Sequence, residues 1–166
     1  MKFENLTDET SIVLFDFDDT LCIHCLHGTY DYTDEEYIGA MINKDVDWWD
    51  RIGCSPNRHM KEFMDRCSKL GIKMGLISAV DMSCTAENKI EWVLRKYGYK
   101  LDNYCTSDTD MKAKLVKVVA SSSGIRNVLF IDDLYSNLEK VADNLCSNVE
   151  VATPMEVVNY AENITE

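Results

Sequence analysis

The sequence predicts an α/β fold, a doubly wound (Rossmann-like) five-stranded parallel sheet, and three observations predict it. Short apolar runs of strand length alternate with longer segments whose apolar residues recur at helical spacing. Two of the runs, SIVLFDF (Ser11 to Phe17) and VLFI (Val128 to Ile131), lead directly into acidic residues, at the carboxyl strand ends where open α/β sheets bind ligands. Capping residues and prolines stand before the helical segments and glycines behind them.

Taken in order, SIVLFDF reads as a strand buried on both faces, because only such a strand is apolar almost without interruption. Residues 22 to 54 show no clear period. Ser55 and Pro56 read as an N-cap followed by proline at the first helical position, and Met60, Phe63, Met64, Cys67 and Leu70 carry a helical stripe as far as Gly71. Ile72 to Ser78 is the second strand. Ile90, Val93, Leu94 and Tyr97 mark the next helix, which Gly98 ends, and Asn103 to Thr106 forms a short third strand. Leu115, Val116 and Val119 lie on the following helix, and Val128 to Ile131 is the fourth strand. Ser136 with Glu139 predicts a capping box for a helix carrying Leu138, Val141, Ala142 and Leu145. Val149 to Ala152 is the fifth strand, and Thr153, Pro154 and Glu156 open the last helix with a capping box and an initial proline. With no repeat or linker in view, residues 1–166 are expected to form one domain, with a short lid-like insert at 22–54.

A chain of 166 residues needs no disulfide to hold its core, since proteins of this size bury roughly 68–70% of the surface their unfolded form exposes. Its 17 basic and 29 acidic residues give a formal charge of −12. That balance repels nucleic acid and anionic membranes unless cations cluster, and no basic run is present, so neither is an expected partner. No apolar stretch approaches the roughly 20 residues of a membrane span, and the polar, acidic MKFENLTDET is unlike a signal peptide. The expected location is cytoplasmic, and there the seven cysteines read as reduced thiols.

The chemistry gathers at the strand ends. Asp16, Asp18 and Asp19 put three carboxylates within four residues, which repel unless a cation or solvent relieves them. Mg²⁺ takes one or two protein carboxylates with water and phosphate oxygens, and Asp132 with Asp133 supplies further acids at the neighbouring strand end. Ser78 ends the second strand with a hydroxyl that can donate to a phosphate oxygen. Lys112 shares an i, i+3, i+4, i+7 stripe with Leu115, Val116 and Val119 and so points toward the sheet, whereas Lys114 does not. A core-facing cation at a helix start works against the helix dipole, a cost that makes sense if it neutralises carboxylate or phosphate.

Those residues together resemble the haloacid dehalogenase (HAD) superfamily. DFDDTL (Asp16 to Leu21) matches its first motif, the serine of GLIS (Ser78) its second, Lys112 its third and FIDD (Phe130 to Asp133) its fourth. The resemblance implies a HAD-like hydrolase with a small or absent cap. It makes Asp16 the nucleophile of an aspartyl-phosphate mechanism and Asp18 the acid that protonates the leaving oxygen and later activates water. Thr20, Ser78 and Lys112 would bind the phosphoryl group. Asp16, Asp18 (through its carbonyl) and Asp132 would hold Mg²⁺, with Asp133 in support. Retention of Asp18 points to phosphatase or phosphomutase chemistry, because an alkoxide leaving group needs a proton. The expected substrate is a small phosphate monoester or a phosphopeptide. Two other classes remain open: a receiver-like phosphoacceptor, disfavoured by the order of the acids along the chain, and a non-catalytic binding protein on the HAD fold.

The insert at 22–54 has room for little more than a loop with one short helix. Its Tyr30, Tyr32, Tyr37, Trp48 and Trp49 form either a small lid or packing against the sheet edge. Cys22, His24, Cys25, His27, Cys54 and His59 allow a tetrahedral zinc site to be drawn. They lack the paired CxxC form that marks one, so the expectation is ordinary side chains at the mouth of the site, with His24 or His27 touching substrate.

Overall fold

The near-continuous apolar run of Ser11–Phe15 leaves no face for water. As strand β1 it lies in the middle of a five-stranded sheet with every residue buried. The computed structural model describes residues 6, 8–24, 32–143 and 147–163, with side chains as far as 159. After β1 comes a small antiparallel hairpin, β2 (Cys22–His24) and β3 (Cys54–Pro56), with helices α1 (Asp34–Ile42) and α2 (Trp48–Arg51) inserted between its strands. There follow α3 (Arg58–Lys69), β4 (Lys73–Leu76), α4 (Ser83–Tyr97), β5 (Asp102–Asn103) and α5 (Thr109–Ala120). The last elements are β6 (Asn127–Ile131), α6 (Tyr135–Asp143), β7 (Val149–Ala152) and α7 (Pro154–Asn163).

The sheet order is β5-β4-β1-β6-β7, and all four neighbouring pairs are parallel. Alternation along the strands divides the core into two layers. Val13, Phe15, Leu129 and Ile131 pack with α3, α4 and α7, whereas Ile12, Leu14, Val128 and Phe130 pack with α5 and α6. The chain moves outward from β1 through β4 to β5 and then crosses to β6. The carboxyl end of β1 is therefore the switch point at which such sheets open a crevice.

Several local expectations change. Ser55 and Pro56 belong to β3, paired with Ile23 and Cys22; the capping residue of α3 is Asn57, whose side chain accepts from the His59 N–H. Pairing with β2 overrides the local helix-start signal. Ser136 sits inside α6 rather than at its cap, and the Asp132 carboxylate accepts the Leu134 N–H just ahead of the helix. The third strand is reduced to Asp102–Asn103, with Thr106 in an isolated bridge to Ala79. Thr153 and Glu156 form the expected capping box of α7. Cys22 and Cys54 form a disulfide across the hairpin, their Cα atoms 5.5 Å apart, which corrects the expectation of reduced thiols. Cys67, Cys84 and Cys105 are free, and Cys25, His27, Tyr30 and Leu145 lie outside the described residues. Among the described residues, no helix is long and apolar enough to cross a membrane.

The insert holds two helices rather than one. α1 has its own capping box, Thr33 with Glu36. The pair is fastened to α4 along its length: Tyr37 donates to Asp81 just ahead of the helix (2.9 Å), Lys44 pairs with Glu87 (3.0 Å) and Trp49 Nε1 donates to Asn88 (2.7 Å). Asp50 accepts from Trp92 Nε1 (2.9 Å) and Lys96 (2.6 Å). Trp49 also lies edge-on to Phe17, which in turn meets Trp92.

Tyr97 anchors the hairpin to the same helix. Its buried hydroxyl donates to the Leu21 carbonyl at 2.5 Å and accepts the Asn57 N–H at 2.8 Å. Tyr97→Phe keeps the ring and removes the hydroxyl, while the Asn57 N–H still donates to the Leu21 carbonyl at 3.1 Å, so the loss is that of an ordinary hydrogen bond, about 0.5–1.5 kcal/mol. Urea denaturation of the variant is expected to show a loss in that range.

Candidate active site

The register that pairs Phe15 with Ile131 ends β1 and β6 side by side, so Asp16 and Asp132 meet at the sheet's carboxyl edge, both buried. Lys112 reaches them from α5. Its Nζ donates to Asp16 Oδ1 at 2.7 Å and to Asp132 Oδ2 at 3.0 Å. The sheet-facing stripe is as the spacing predicts: Lys112, Val116 and Val119 are buried and Lys114 is exposed. Among the described residues, Asp16 Oδ2 makes no hydrogen bond. Asn137, on α6, donates to both oxygens of Asp132 at 3.0 Å and fixes that carboxylate; nothing in the sequence reading marked it.

A second cation comes from the opposite layer. Lys89, on α4, is 4% exposed and donates to Asp18 Oδ2 at 2.8 Å and to Ser78 Oγ at 3.0 Å. Its ammonium lies 4.7 Å from the Phe17 ring centre and 5.5 Å from that of Trp49, both within cation–π reach. The sequence reading missed it, although its signal is of the kind that marks Lys112: Lys89 stands four residues before Val93 and eight before Tyr97. On the other side of Asp18, Oδ1 lies 3.2 Å from His24 Nε2. Asp19, with a left-handed φ of 52°, turns the chain back into β2, and its side chain accepts the His24 N–H.

Five of the seven residues picked out by the sequence thus fall into two lysine-centred groups, Asp16 and Asp132 on Lys112 and Asp18 and Ser78 on Lys89. Asp133 is half-buried beside Asp132. Thr20 is not linked to them: its hydroxyl is fully buried and, among the described residues, has no hydrogen-bond partner.

The electrostatics follow from this packing. Burial, reinforced by the Asp132 charge and only partly offset by Lys112, raises the Asp16 carboxyl above its ordinary range. Burial and Asp132 likewise push Asp133 upward. Burial opposes ionisation of Asp18 as well, but the bond from His24 and the charge of Lys89 outweigh it and hold Asp18 below the usual carboxylate range. For Lys112 burial pulls downward, and Asp16 with Asp132 overcomes it.

Oxygens of Asp16, Asp132 and Asp133 lie within 4.8 Å of one another. Three hard oxygen donors facing one lysine leave net negative charge, so the set fits a divalent cation of the Mg²⁺ type. A cleft of about 420 Å³ opens over Asp18, with His24, Lys89, Tyr37 and Trp49 in its walls. Of the insert aromatics, Trp48 and Trp49 are buried, and Tyr32, Tyr37 and Trp49 line the cleft.

No family model matches the chain, and no curated protein does. Solved structures share its fold. The HAD domain of the effector protein Lem4 from Legionella pneumophila, solved as an inactive mutant, superposes with a TM-score of 0.55 at 14% identity, covering 95% of this chain and 93% of that one. The Legionella pneumophila effector Ceg4, carrying an N-terminal yeast Hog1p sequence, gives 0.57 at 12% identity over 96% and 95%. A proposed beta-phosphoglucomutase from Thermotoga maritima gives 0.53 at 12% identity over 93% and 99%. The chain has the HAD-like fold, with a minimal cap.

Removing one partner of a buried ion pair typically costs about 3–5 kcal/mol, and Lys112 serves two carboxylates. Lys112→Met in metal-free buffer is expected to lose at least that much stability. Lys114→Met, on the exposed face, should stay within about 0.5 kcal/mol of the parent. Equal stabilities in chemical denaturation would contradict the buried charge balance.

Proposed function

We propose that the protein is a Mg²⁺-dependent phosphohydrolase acting on phosphate monoesters through an aspartyl-phosphate on Asp16. The observation that carries this reading is the state of Asp16 itself. One of its oxygens is held by Lys112 at 2.7 Å, while the other makes no hydrogen bond among the described residues, at the end of a strand in a HAD-like fold. That is the posture of a positioned nucleophile.

In this reading Asp16 Oδ2 attacks phosphorus as the bond to the leaving oxygen breaks. The hydrogen-bonded pair of Asp18 and His24 gives that oxygen its proton and later takes one from the water that hydrolyses the aspartyl-phosphate. Lys89 keeps Asp18 and Ser78 in position, and Ser78 donates to a phosphoryl oxygen. Lys112 orients Asp16 and opposes the charge that builds up in the transition state. Asp16 and Asp132, supported by Asp133, would hold the Mg²⁺, which when bound supplies positive charge at the phosphoryl oxygens. The leaving group would occupy the cleft of about 420 Å³ over Asp18, a size suited to a small ester. The formal charge of −12 argues against polynucleotide ends, whose affinity rests on cations meeting phosphates.

Steady-state hydrolysis of a generic aryl phosphate tests the proposal. Turnover should require Mg²⁺ and vanish in excess chelator. Asp16→Asn should abolish it while keeping the fold, and Asp18→Asn should lower kcat by roughly 10²–10⁴-fold, the usual weight of acid–base catalysis. Near-parental activity in Asp16→Asn would sink the mechanism. Stable phosphorylation of Asp16 without turnover would favour the phosphoacceptor alternative.

A further inference from the structure

The β2–β3 hairpin carries two sulfurs that the phosphoryl chemistry does not use, beside His24, whose Nε2 faces Asp18 and whose Nδ1 faces Cys54. Cys22 Sγ, Cys54 Sγ and a ring nitrogen of His24 all lie within 4.8 Å of one another. The ring is oriented from both ends, with Nδ1 3.7 Å from Cys54 Sγ and Nε2 3.2 Å from Asp18 Oδ1. Metal-ligating imidazoles usually hold their second nitrogen on a carboxylate or carbonyl in this way. In a tetrahedral site with the usual zinc bond lengths, the sulfur-to-nitrogen edge is roughly 3.6 Å, close to the distance between Cys54 and His24. Two thiolates and an imidazole select a soft or borderline ion such as Zn²⁺ over Mg²⁺. The sulfurs are on buried residues, and His24 is half-exposed and lines the cleft over Asp18.

We propose that the reduced hairpin binds one Zn²⁺ through Cys22 Sγ, Cys54 Sγ and His24 Nδ1, so that disulfide and zinc site are alternative states of the same pair. A dithiol reductant opens the disulfide: its own sulfurs become the new disulfide, and its two protons pass to Cys22 and Cys54. Zinc binding then releases those two protons as the thiols become thiolates. The backbone can stay where it is. With Cα atoms 5.5 Å apart, rotation about χ1 lets the sulfurs separate to the roughly 3.8 Å edge that a tetrahedral zinc requires. The ion also fixes the His24 tautomer, leaving Nε2–H to donate to Asp18. The site is separate from the oxygen-donor cluster of Asp16, Asp132 and Asp133, and its occupancy ties the hairpin to the first-motif turn.

Cobalt(II) is the probe. The full chain is reduced with a dithiol, freed of reductant under argon and titrated. One equivalent is expected to give thiolate-to-cobalt charge-transfer absorption and the visible bands of tetrahedral cobalt, both abolished by Zn²⁺. The oxidised chain and C22S/C54S should give neither, and H24A should bind at least about tenfold more weakly, since even a change to a residue that only supports a ligand typically costs about 10–100-fold. An independent readout covers failure of the double variant to fold: in the reduced parent chain, Zn²⁺ should protect Cys22 and Cys54 from alkylation, mapped by mass spectrometry, while Cys84 stays reactive. Absence of the cobalt bands in the reduced parent, their persistence in folded C22S/C54S, or unprotected Cys22 and Cys54 would each overturn the proposal.

Discussion

Asp16 and Asp132 end adjacent parallel strands, and the β1–β6 register forces their carboxyls together at a buried edge. Two like charges about 4 Å apart repel by about 4 kcal/mol even at an effective dielectric constant near 20. The Lys112 ammonium turns that repulsion into a bridge. Lys89, from the opposite layer of helices, pairs with Asp18 and ties it to the Ser78 hydroxyl. The position of α5 on one face and of α4 on the other is therefore bound up with the acids at the strand ends. The packing that makes the core also sets the charges of the site.

The insert follows from the same logic. A lid that opens and shuts would need few bonds to the body, yet α1 and α2 are fixed to α4 by Tyr37, Lys44, Trp49 and Asp50. Trp49 even shares in the surroundings of the Lys89 ammonium. The cleft over Asp18 is walled in part by that insert and in part by the helix that delivers Lys89.

What the sequence made legible was what periodicity and strand-end chemistry can express. Asp16, Asp132 and Ser78 lie at the ends of readable strands, and Lys112 lies on an unbroken apolar stripe. Lys89 was obscured because α4 turns Asn88 and Lys89 inward beside Trp92 and Val93, so its buried face is half polar and a search for apolar residues misjudges the phase. The hairpin was illegible for another reason. Strands of three residues carry no period, and the pairing of Cys22 with Cys54 spans an insert whose helices are short. Pro56 gives a strong local helix signal that long-range strand pairing simply outweighs, and Ser136 lies within α6, whose start at Tyr135 follows the Asp132–Leu134 turn.

The separations along the chain have a consequence for synthesis. Asp16 meets Lys112 across 96 positions and Asp18 meets Lys89 across 71. During translation the acids of the first motif therefore leave the ribosome long before their counter-ions exist, and contacts this remote are slow to close. A nascent chain that stops short of α5 and β6 has a first strand with no second acid beside it and no ammonium between them. The acidic edge of the sheet is one of the last parts of the molecule to be completed, and a truncated product presents its aspartates to water as an ordinary acidic turn.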